Sequence, residues 1–596
     1  MERKRTIERL WRDAIAAGRQ TPAYLVQHGD EWRELSWTEA AKRVEGYANG
    51  LLSLGVRKGD AFSILGSSRV EWALFDFALG SIGAIAAPIY ANSSTSDAGY
   101  ILDHSESIGV LCEDDLQRAK VEEARGGIPR LRHVLTFADL DDLSGLGRAY
   151  AAEHPNALRE AGDAIEEDDL FTYIYTSGTT GPPKGCMISH RNYYAMVAVV
   201  DDLPSFTGPE DTMLLYLPLA HNFGRLMHLS GAYVGYGIAF LPDPLQVAGA
   251  LPAVKPTVFP SVPRVYEKIH TAVVARFDEA TGARRKLVDW ALGVGRRVSA
   301  LRRAGEPVPR GLAAQHRLAD KLVYAKVKAR LGGRLRLAIS GGAPLSSEIA
   351  EFFHAIDILL IEGYGLTECT TAASTNTHEA YRFGTVGRPL PGTEVKLAED
   401  GELLLRSETV FLGYYKDPEA TAEVLEADGW LRTGDIAEID DDGFIVITDR
   451  KKDIIVTAGG KNVAPQNLEN DLKTSKYVSQ AMVVGDRQPY IAALITLDPE
   501  EVPKWAAEQG IAGDLATLAE SEHVRELMQS VVDAVNSDRS RYEQIKRFAI
   551  LPRDFTMGDD ELTPTLKLKR RVVAEHFGIE LGELYAGATL NEAAGA

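Results

Sequence analysis

The chain has 596 residues, 45% hydrophobic and 25% charged, which is too long for one small core and ordinary for a soluble globular protein of two or more domains. Its 65 Lys and Arg against 85 Asp and Glu give a net charge of −20, which opposes binding of the molecule as a whole to nucleic acid or to an anionic membrane. Cys112, Cys186 and Cys369 stand far apart with no CxxC pair, so neither a disulfide framework nor a zinc site is indicated, and a reducing cytoplasm fits best.

The opening "MERKRTIERLWRDAIAAGRQ" carries charges throughout and sets Ile7, Leu10, Trp11, Ala14 and Ile15 at helical spacing, which predicts an amphipathic helix rather than a signal peptide. The most apolar stretch, "ALFDFALGSIGAIAAPIYA", is broken by Asp76, Pro88 and glycines, which predicts a buried helix and strand and no membrane span. Apolar strands such as "AFSILG", "IGVLCE", "HVLTF", "FTYIYTSG", "TMLLYLP", "TVFPSVP", "LRLAISGG" and "ILLIEGYG" alternate with amphipathic helices up to about residue 450. Strands separated by helices imply parallel sheets with ligand sites at the strand ends.

Between Arg264 and Arg336 there are 18 Lys or Arg against 6 Asp or Glu, a local excess of +12 in a helical pattern. It reads as a solvated face balanced by acidic neighbours, or as a patch for peripheral contact with anionic lipid or a phosphorylated cofactor. Short strands with turns at Asp400, Gly401 and Gly413 predict a small all-β subdomain, and a boundary falls within "DRKKD", residues 449–453. The expected fold is therefore α/β: a large N-terminal domain, 1–450, of parallel sheets flanked by helices plus the β subdomain, then a smaller mobile α+β domain, 451–596.

The chemistry begins at "YTSGTTGPPKG", residues 175–185, where a strand runs into a glycine-rich turn ending in a lysine. Exposed backbone N–H groups, hydroxyls and an ammonium make a cradle for polyphosphate, although the same residues also compose ordinary surface loops. It is not a Walker loop, because Pro183 precedes Lys184 and Gly185 follows it, where GxxxxGK[ST] requires glycine and a hydroxyl residue. "EGYGLTE", residues 362–368, fails as a dinucleotide motif because Glu368 takes the last glycine position, and no GxSxG hydrolase motif is present.

Over its whole length, "YTSGTTGPPKG" resembles the signature loop of adenylate-forming enzymes, the superfamily of acyl-CoA synthetases, peptide-synthetase adenylation domains and luciferases. "LPLAHNFGR", "SGGAPLS", "EGYGLTE", "RTGD" with "TDRKKD", and "ELTPTLKLKRR" resemble the same superfamily in the same order, from Thr176 to Lys567. The resemblance implies that Thr176, Ser177, Gly178, Thr179, Thr180, Gly181 and Lys184 bind the phosphates of ATP. It likewise implies that Gly341, Gly342 and Ala343 border the adenine, that Tyr364 stacks on it beside Gly365, and that Thr367 meets the α-phosphate. Glu368 would hold Mg²⁺, Asp435 and Arg450 would contact the ribose, and His221 would lie beside the acyl carboxylate.

Lys567 aligns with the adenylation lysine of the superfamily, although "TLK" replaces the common SGK and Lys569 lies two residues on, on the same side of any strand. Lys567, His221, Glu368 and Thr176 are the residues implied for catalysis. Lys452 would be the hinge, with Gly459 and Gly460 lining a channel for the pantetheine of CoA. "LPLAHNFGR", "PSVPRVYEKI" and "GGKNVAPQNLE" are most similar to bacterial long-chain fatty-acyl-CoA synthetases, with ATP, Mg²⁺ and CoA as the small-molecule partners and a cytoplasmic or peripherally membrane-associated location. Arg225 stands where some members carry an aromatic gate to the acyl tunnel, so neither that gate nor a chain length follows. The alternatives are transfer to an acyl-carrier protein, activation of an aryl or polyketide acid, and a catalytically silent acyl or nucleotide binder.

Overall fold

The computed structural model describes residues 4–29, 31–176, 182–537, 539–563 and 567–586, and in it the alternating apolar stretches build two large sheets. One runs through Arg388–Pro389, Ser374–Thr375, Leu359–Tyr364, Leu337–Ser340, Val258–Ser261, Thr212–Leu215, Gly237–Phe240, Tyr24–His28 and Glu31–Leu35. The other runs through Gly413–Tyr414, Lys184–Ser189, Leu170–Thr176, Ile85–Tyr90, Ala61–Gly66, Gly109–Cys112 and His133–Thr136. Interior neighbours are parallel, as strands separated by helices require.

At the rims of the sheets the pairing changes. Glu31–Leu35, Ser374–Thr375, Lys184–Ser189 and Gly413–Tyr414 all pair antiparallel, because the connections that lead to the first three are too short to carry a crossover. The polyphosphate loop thus closes a hairpin: Thr176 pairs directly with Lys184.

Between the sheets lies the helix Val70–Ser81, buried at every position except Glu71 in its first turn. Its one buried charge, Asp76, is met by Arg225 from the helix Asn222–Val234, through Nε at 3.0 Å and Nη2 at 2.5 Å. Neither side chain reaches solvent. The remaining Nη1 donates to Thr172 Oγ1 at 2.6 Å, and Phe171 closes over the guanidinium with its ring centre 4.4 Å away. Arg225 is therefore a core residue and gates nothing. The N-terminal helix Ile7–Ala16 buries Ile7, Leu10, Trp11 and Ala14 as its spacing predicts, with Trp11 stacked on Phe77.

Glu394–Leu397, Glu402–Arg406, Leu431–Ile439 and Ile445–Arg450 form the antiparallel β subdomain. Beyond it come the hairpin Ile455–Val456 and Asn462–Val463, then the sheet Val478–Val484, Ile491–Leu497 and Ile545–Leu551 with its helices. Buried apolar clusters lie either within residues 7–445 or within residues 455–584, and none spans the junction. What crosses it is polar: Arg264 donates to Ser479 at 2.7 Å, and Lys473 and Lys476 face Glu267 and Asp278 at 3.4 Å. Among the described residues no helix is long and apolar enough to cross a membrane.

The buried pair sets a stability test. Arg225→Met leaves Asp76 without a cation in an apolar core, which costs about 3 to 5 kcal/mol, whereas adding Asp76→Asn recovers part of the loss. Urea denaturation followed by the near-UV signal of the Trp72 region checks both values.

Candidate functional site

Three turns at the strand ends and one loop from the C-terminal part converge on a common cleft. The first is the polyphosphate hairpin. Ser177, Gly178, Thr179, Thr180 and Gly181 lie outside the described residues, but the flanking Thr176 and Lys184 are paired across the hairpin. Lys184 Nζ sits 3.7 Å from Asp417 Oδ2 and 5.1 Å from the ring centre of Tyr414. Tyr414 in turn donates its phenol hydrogen to Glu368 Oε1 at 2.6 Å.

Glu368 stands in the short turn Thr367–Cys369 just after the strand Leu359–Tyr364. At the end of that strand Tyr364 donates to Asp435 Oδ2 at 2.5 Å, and Asp435 Oδ1 pairs with Arg450 Nε at 3.2 Å. Asp435 lies within the strand Leu431–Ile439, directly opposite Arg450 on Ile445–Arg450, so the two residues are cross-strand neighbours. Burial pushes the Asp435 carboxyl above the ordinary range, against the pull of Arg450, Tyr364 and Lys567.

Lys567 comes from the C-terminal part on a hairpin closed by Thr563 N–H to the Lys567 carbonyl at 2.8 Å and Lys569 N–H to the Glu561 carbonyl at 2.8 Å. Its base is the buried Glu561, which accepts two hydrogen bonds of 2.7 Å from Arg553 and others from His576 and Thr556. Burial opposes ionisation there, but these donors outweigh it and bring the Glu561 carboxyl down to about 2. The two lysines separate cleanly: Lys569 turns back to pair with Asp560, while Lys567 faces Arg450, Asp435 and Glu368. Lys567 lies on the wall of the cleft between the two parts of the chain and is exposed to solvent. Loss of hydration, reinforced by Arg450, brings its ammonium down to about 8.

His221 is the N-cap of Asn222–Val234, its Nδ1 accepting Phe223 N–H at 3.2 Å. That bond leaves the proton on Nε2, which makes the ring a neutral donor toward the cleft. Burial and the nearby Lys567 bring its pKa down to about 3, which keeps it neutral across the physiological range. Asn222 was not foreseen as a site residue. Its Nδ2 donates to the Thr367 carbonyl at 3.3 Å and its Oδ1 accepts from Tyr193 at 2.5 Å, which locks the His221 turn to the Glu368 turn.

At the third turn, a Cβ at Gly341 would lie 3.2 Å from the Phe223 ring, which would have to give by a few tenths of an ångström, whereas Gly342 and Ala343 face open space. Glu362, read in the sequence only as part of a rejected motif, accepts Leu345 N–H at 3.0 Å and ties this turn to Leu359–Tyr364. Burial lifts its carboxyl to about 7. Gly365 has a structural reason, because a Cβ there would strike the Thr371 carbonyl. Lys452 is exposed in the turn after Arg450, and Gly459 and Gly460 form the exposed tip of the hairpin at 455–463. These three do not join the cleft in this arrangement, in which Lys567 does.

The cleft thus gathers Lys184, Arg450 and Lys567 around Glu368 and Asp435, with neutral His221 at one side. Cations suit a polyphosphate, and a half-buried carboxylate beside it suits a hard divalent ion that takes oxygen ligands from one or two carboxylates and from phosphate. Among the described residues no group of three or more His, Cys, Asp and Glu gathers that could hold a metal ion with protein side chains alone.

Comparison with known proteins adds independent findings. The family described as "AMP-binding enzyme" matches residues 11–415, and "AMP-binding enzyme C-terminal domain" matches residues 452–589. The chain is 38% identical over 584 residues to the long-chain-fatty-acid–CoA ligase FadD15 of Mycobacterium bovis, covering 95% of each chain. It is 32% identical over 595 residues to long-chain-fatty-acid–CoA ligase 5 of Mus musculus, covering 93% of this chain and 84% of that one. In fold it is similar to the adenylation domain of a carboxylate reductase from Mycobacterium chelonae, with a TM-score of 0.76 at 23% identity, covering 98% and 91% of the two chains.

The depressed ammonium makes a prediction independent of any reaction. At pH 8 about half of Lys567 is the free amine, against roughly 0.3% of an ordinary lysine of pKa 10.5. Brief labelling with an amine-selective acetylating reagent, followed by peptide mass spectrometry, should therefore mark Lys567 well ahead of Lys569.

Proposed function

This chain belongs to the family of AMP-binding enzymes, and on that premise we propose that it activates a long-chain fatty acid with ATP and passes the acyl group to CoA. In the first step a carboxylate oxygen attacks the α-phosphorus and pyrophosphate leaves. In the second the CoA thiol, giving up its proton, attacks the acyl carbonyl and AMP leaves. The observation that carries this reading is Lys567, brought from the C-terminal part to face Asp435, Arg450, Glu368 and His221 across one cleft.

A carboxylate approaching a triphosphate brings anions together, so fixed positive charge where the new bond forms is what this site must supply. Lys567 and Lys184 supply it, Arg450 and Asp435 orient the ribose, and His221 donates Nε2–H toward the acyl carboxylate. Mg²⁺, held through Glu368, would add charge neutralisation on the phosphates. The fatty-acid substrate class is supported by the full-length relatives named as long-chain-fatty-acid–CoA ligases. We further propose that residues 451–596 turn about Lys452 after adenylation, withdrawing Lys567 and bringing the Gly459–Gly460 tip to the cleft for thiol entry. The separate cores on either side of the junction support such a movement.

The deciding assay is conversion of ATP to AMP with palmitate, with and without CoA. Palmitoyl-CoA is the expected product; Lys567→Ala should lower adenylation about 100- to 1,000-fold, as loss of a charge-stabilising group does, and Lys569→Ala by less than about threefold. An adenylate that CoA never accepts would point to a carrier protein, and no adenylate at all to another acid or a silent binder. The charged form of Lys567 is the working one, so kcat/KM for adenylation should be full below its pKa and fall as pH rises through about 8.

A peripheral membrane contact has one observation in its favour. Leu318 and Leu322, 49% and 37% exposed, sit one helical turn apart among exposed Arg310, Arg317, Lys321 and Lys326. Other cations of this segment are already engaged, Arg302 with Asp357 and Arg303 with Glu351. Co-sedimentation with phosphatidylglycerol-containing vesicles, lost in Leu318→Gln/Leu322→Gln and in purely zwitterionic vesicles, is the expected result.

A further inference from the structure

Tyr414 reaches both charged ends of the phosphate site. Its phenol donates to Glu368 Oε1 at 2.6 Å, and Lys184 Nζ lies over its ring, 5.1 Å from the centre. The mount is stiff. The residue is 8% exposed, its ring packs edge-on against Phe411, and its own N–H bonds Thr421 Oγ1 at 2.9 Å. On either side of it Leu412 N–H bonds the Met187 carbonyl and Tyr415 N–H the Gly185 carbonyl, while Phe411 N–H bonds the Glu368 carbonyl. The same short segment therefore holds the backbone of the Glu368 turn and of the strand leaving the polyphosphate loop.

We propose that Tyr414 is a positioning residue for the divalent cation: it holds Glu368 by one oxygen, leaves the other for the metal, and keeps Lys184 from collapsing onto that carboxylate. The inference rests on the reading of Glu368 given above. Glu368 and Lys184 are an acid and a base on adjoining turns, and a direct pair would spend both charges on each other. Among the described residues no such pair forms; Lys184 is drawn to Asp417 and to the tyrosine ring instead. A neutral phenol is suited to the task, since it binds the carboxylate strongly without adding charge that would repel a cation.

Tyr414→Phe tests this directly, because it keeps the ring for Lys184 and removes only the donor. The readout is binding of Mn²⁺, followed by its free-ion paramagnetic resonance signal, to the full chain saturated with a non-hydrolysable ATP analogue. Tyr414→Phe should raise the Mn²⁺ dissociation constant about tenfold, the loss expected for one hydrogen bond to a charged group, and leave metal-free affinity for the analogue unchanged. Glu368→Gln should weaken Mn²⁺ at least as much, and the double variant E368Q/Y414F should be no weaker than E368Q. A general packing defect would instead make the two losses add. Parent-like Mn²⁺ affinity in Tyr414→Phe, or additive losses, would overturn the inference while leaving Glu368 as the metal carboxylate. Parent-like affinity in Glu368→Gln would overturn the metal reading of Glu368 and the inference with it.

Discussion

The ion pair of Arg225 and Asp76 is the constraint on which the site depends. Asp76 belongs to the helix sealed between the two sheets, Arg225 to the helix that His221 caps, and the third guanidinium bond reaches Thr172 on the strand that leads into the polyphosphate loop. Thr172 passes its own hydrogen to the Ala86 carbonyl of the neighbouring strand. One buried cation thus relates the acyl side of the cleft to the phosphate side. A pair of charges taken out of water adds little to stability when compared with apolar residues of the same volume, but the directionality of its bonds admits few arrangements of the elements that carry them. Removing one member costs far more than the pair contributes.

From that frame the cleft is assembled by short ties between turns that are distant in the chain. Asn222 reaches Thr367, Glu362 reaches Leu345, Tyr364 reaches Asp435 and Tyr414 reaches Glu368. Each tie belongs to a side chain next to a residue of direct chemical use, and each orients that residue without adding a second formal charge beside the substrate, Glu362 and Asp435 excepted. Lys567 enters from outside this network. Its hairpin is braced within the C-terminal part by Glu561, so the position of the lysine is tied to that part.

Much of the site was legible in the sequence because its chemistry is concentrated in short motifs with unusual composition. Asp435 of "RTGD" and Arg450 of "TDRKKD" are direct cross-strand partners. The hydrophobic period located the N-terminal helix and the buried helix after it, and Asp76 within that apolar run correctly argued against a membrane span. What was not legible is what depends on contacts between remote positions. Nothing near Asp76 in sequence announces Arg225, 149 residues away, and Arg225 read alone looks like a variant gate. "FLGYYKDPE" carried no signal beyond a turn, since the value of Tyr414 lies wholly in its reach to Glu368. The return strand Lys184–Ser189 was missed because a glycine- and proline-rich turn is compatible with either a helix or a hairpin on its far side. The lysine ambiguity was of the same kind: a period of two puts Lys567 and Lys569 on one face, but Lys569 turns back to Asp560 while Lys567 faces Arg450 and Asp435.

The seam between the two bodies has a thermodynamic character of its own. Arg264 with Ser479, Glu267 with Lys473 and Asp278 with Lys476 are contacts that water can replace one for one, and no shared apolar cluster stands behind them. Parting such a seam hydrates few hydrocarbon groups, so it carries only a small heat-capacity change and a free energy that varies weakly with temperature. Its long-range attraction, by contrast, is screened over a Debye length of about 8 Å at physiological ionic strength. If the two bodies part, the electrolyte rather than the thermometer sets how far they do.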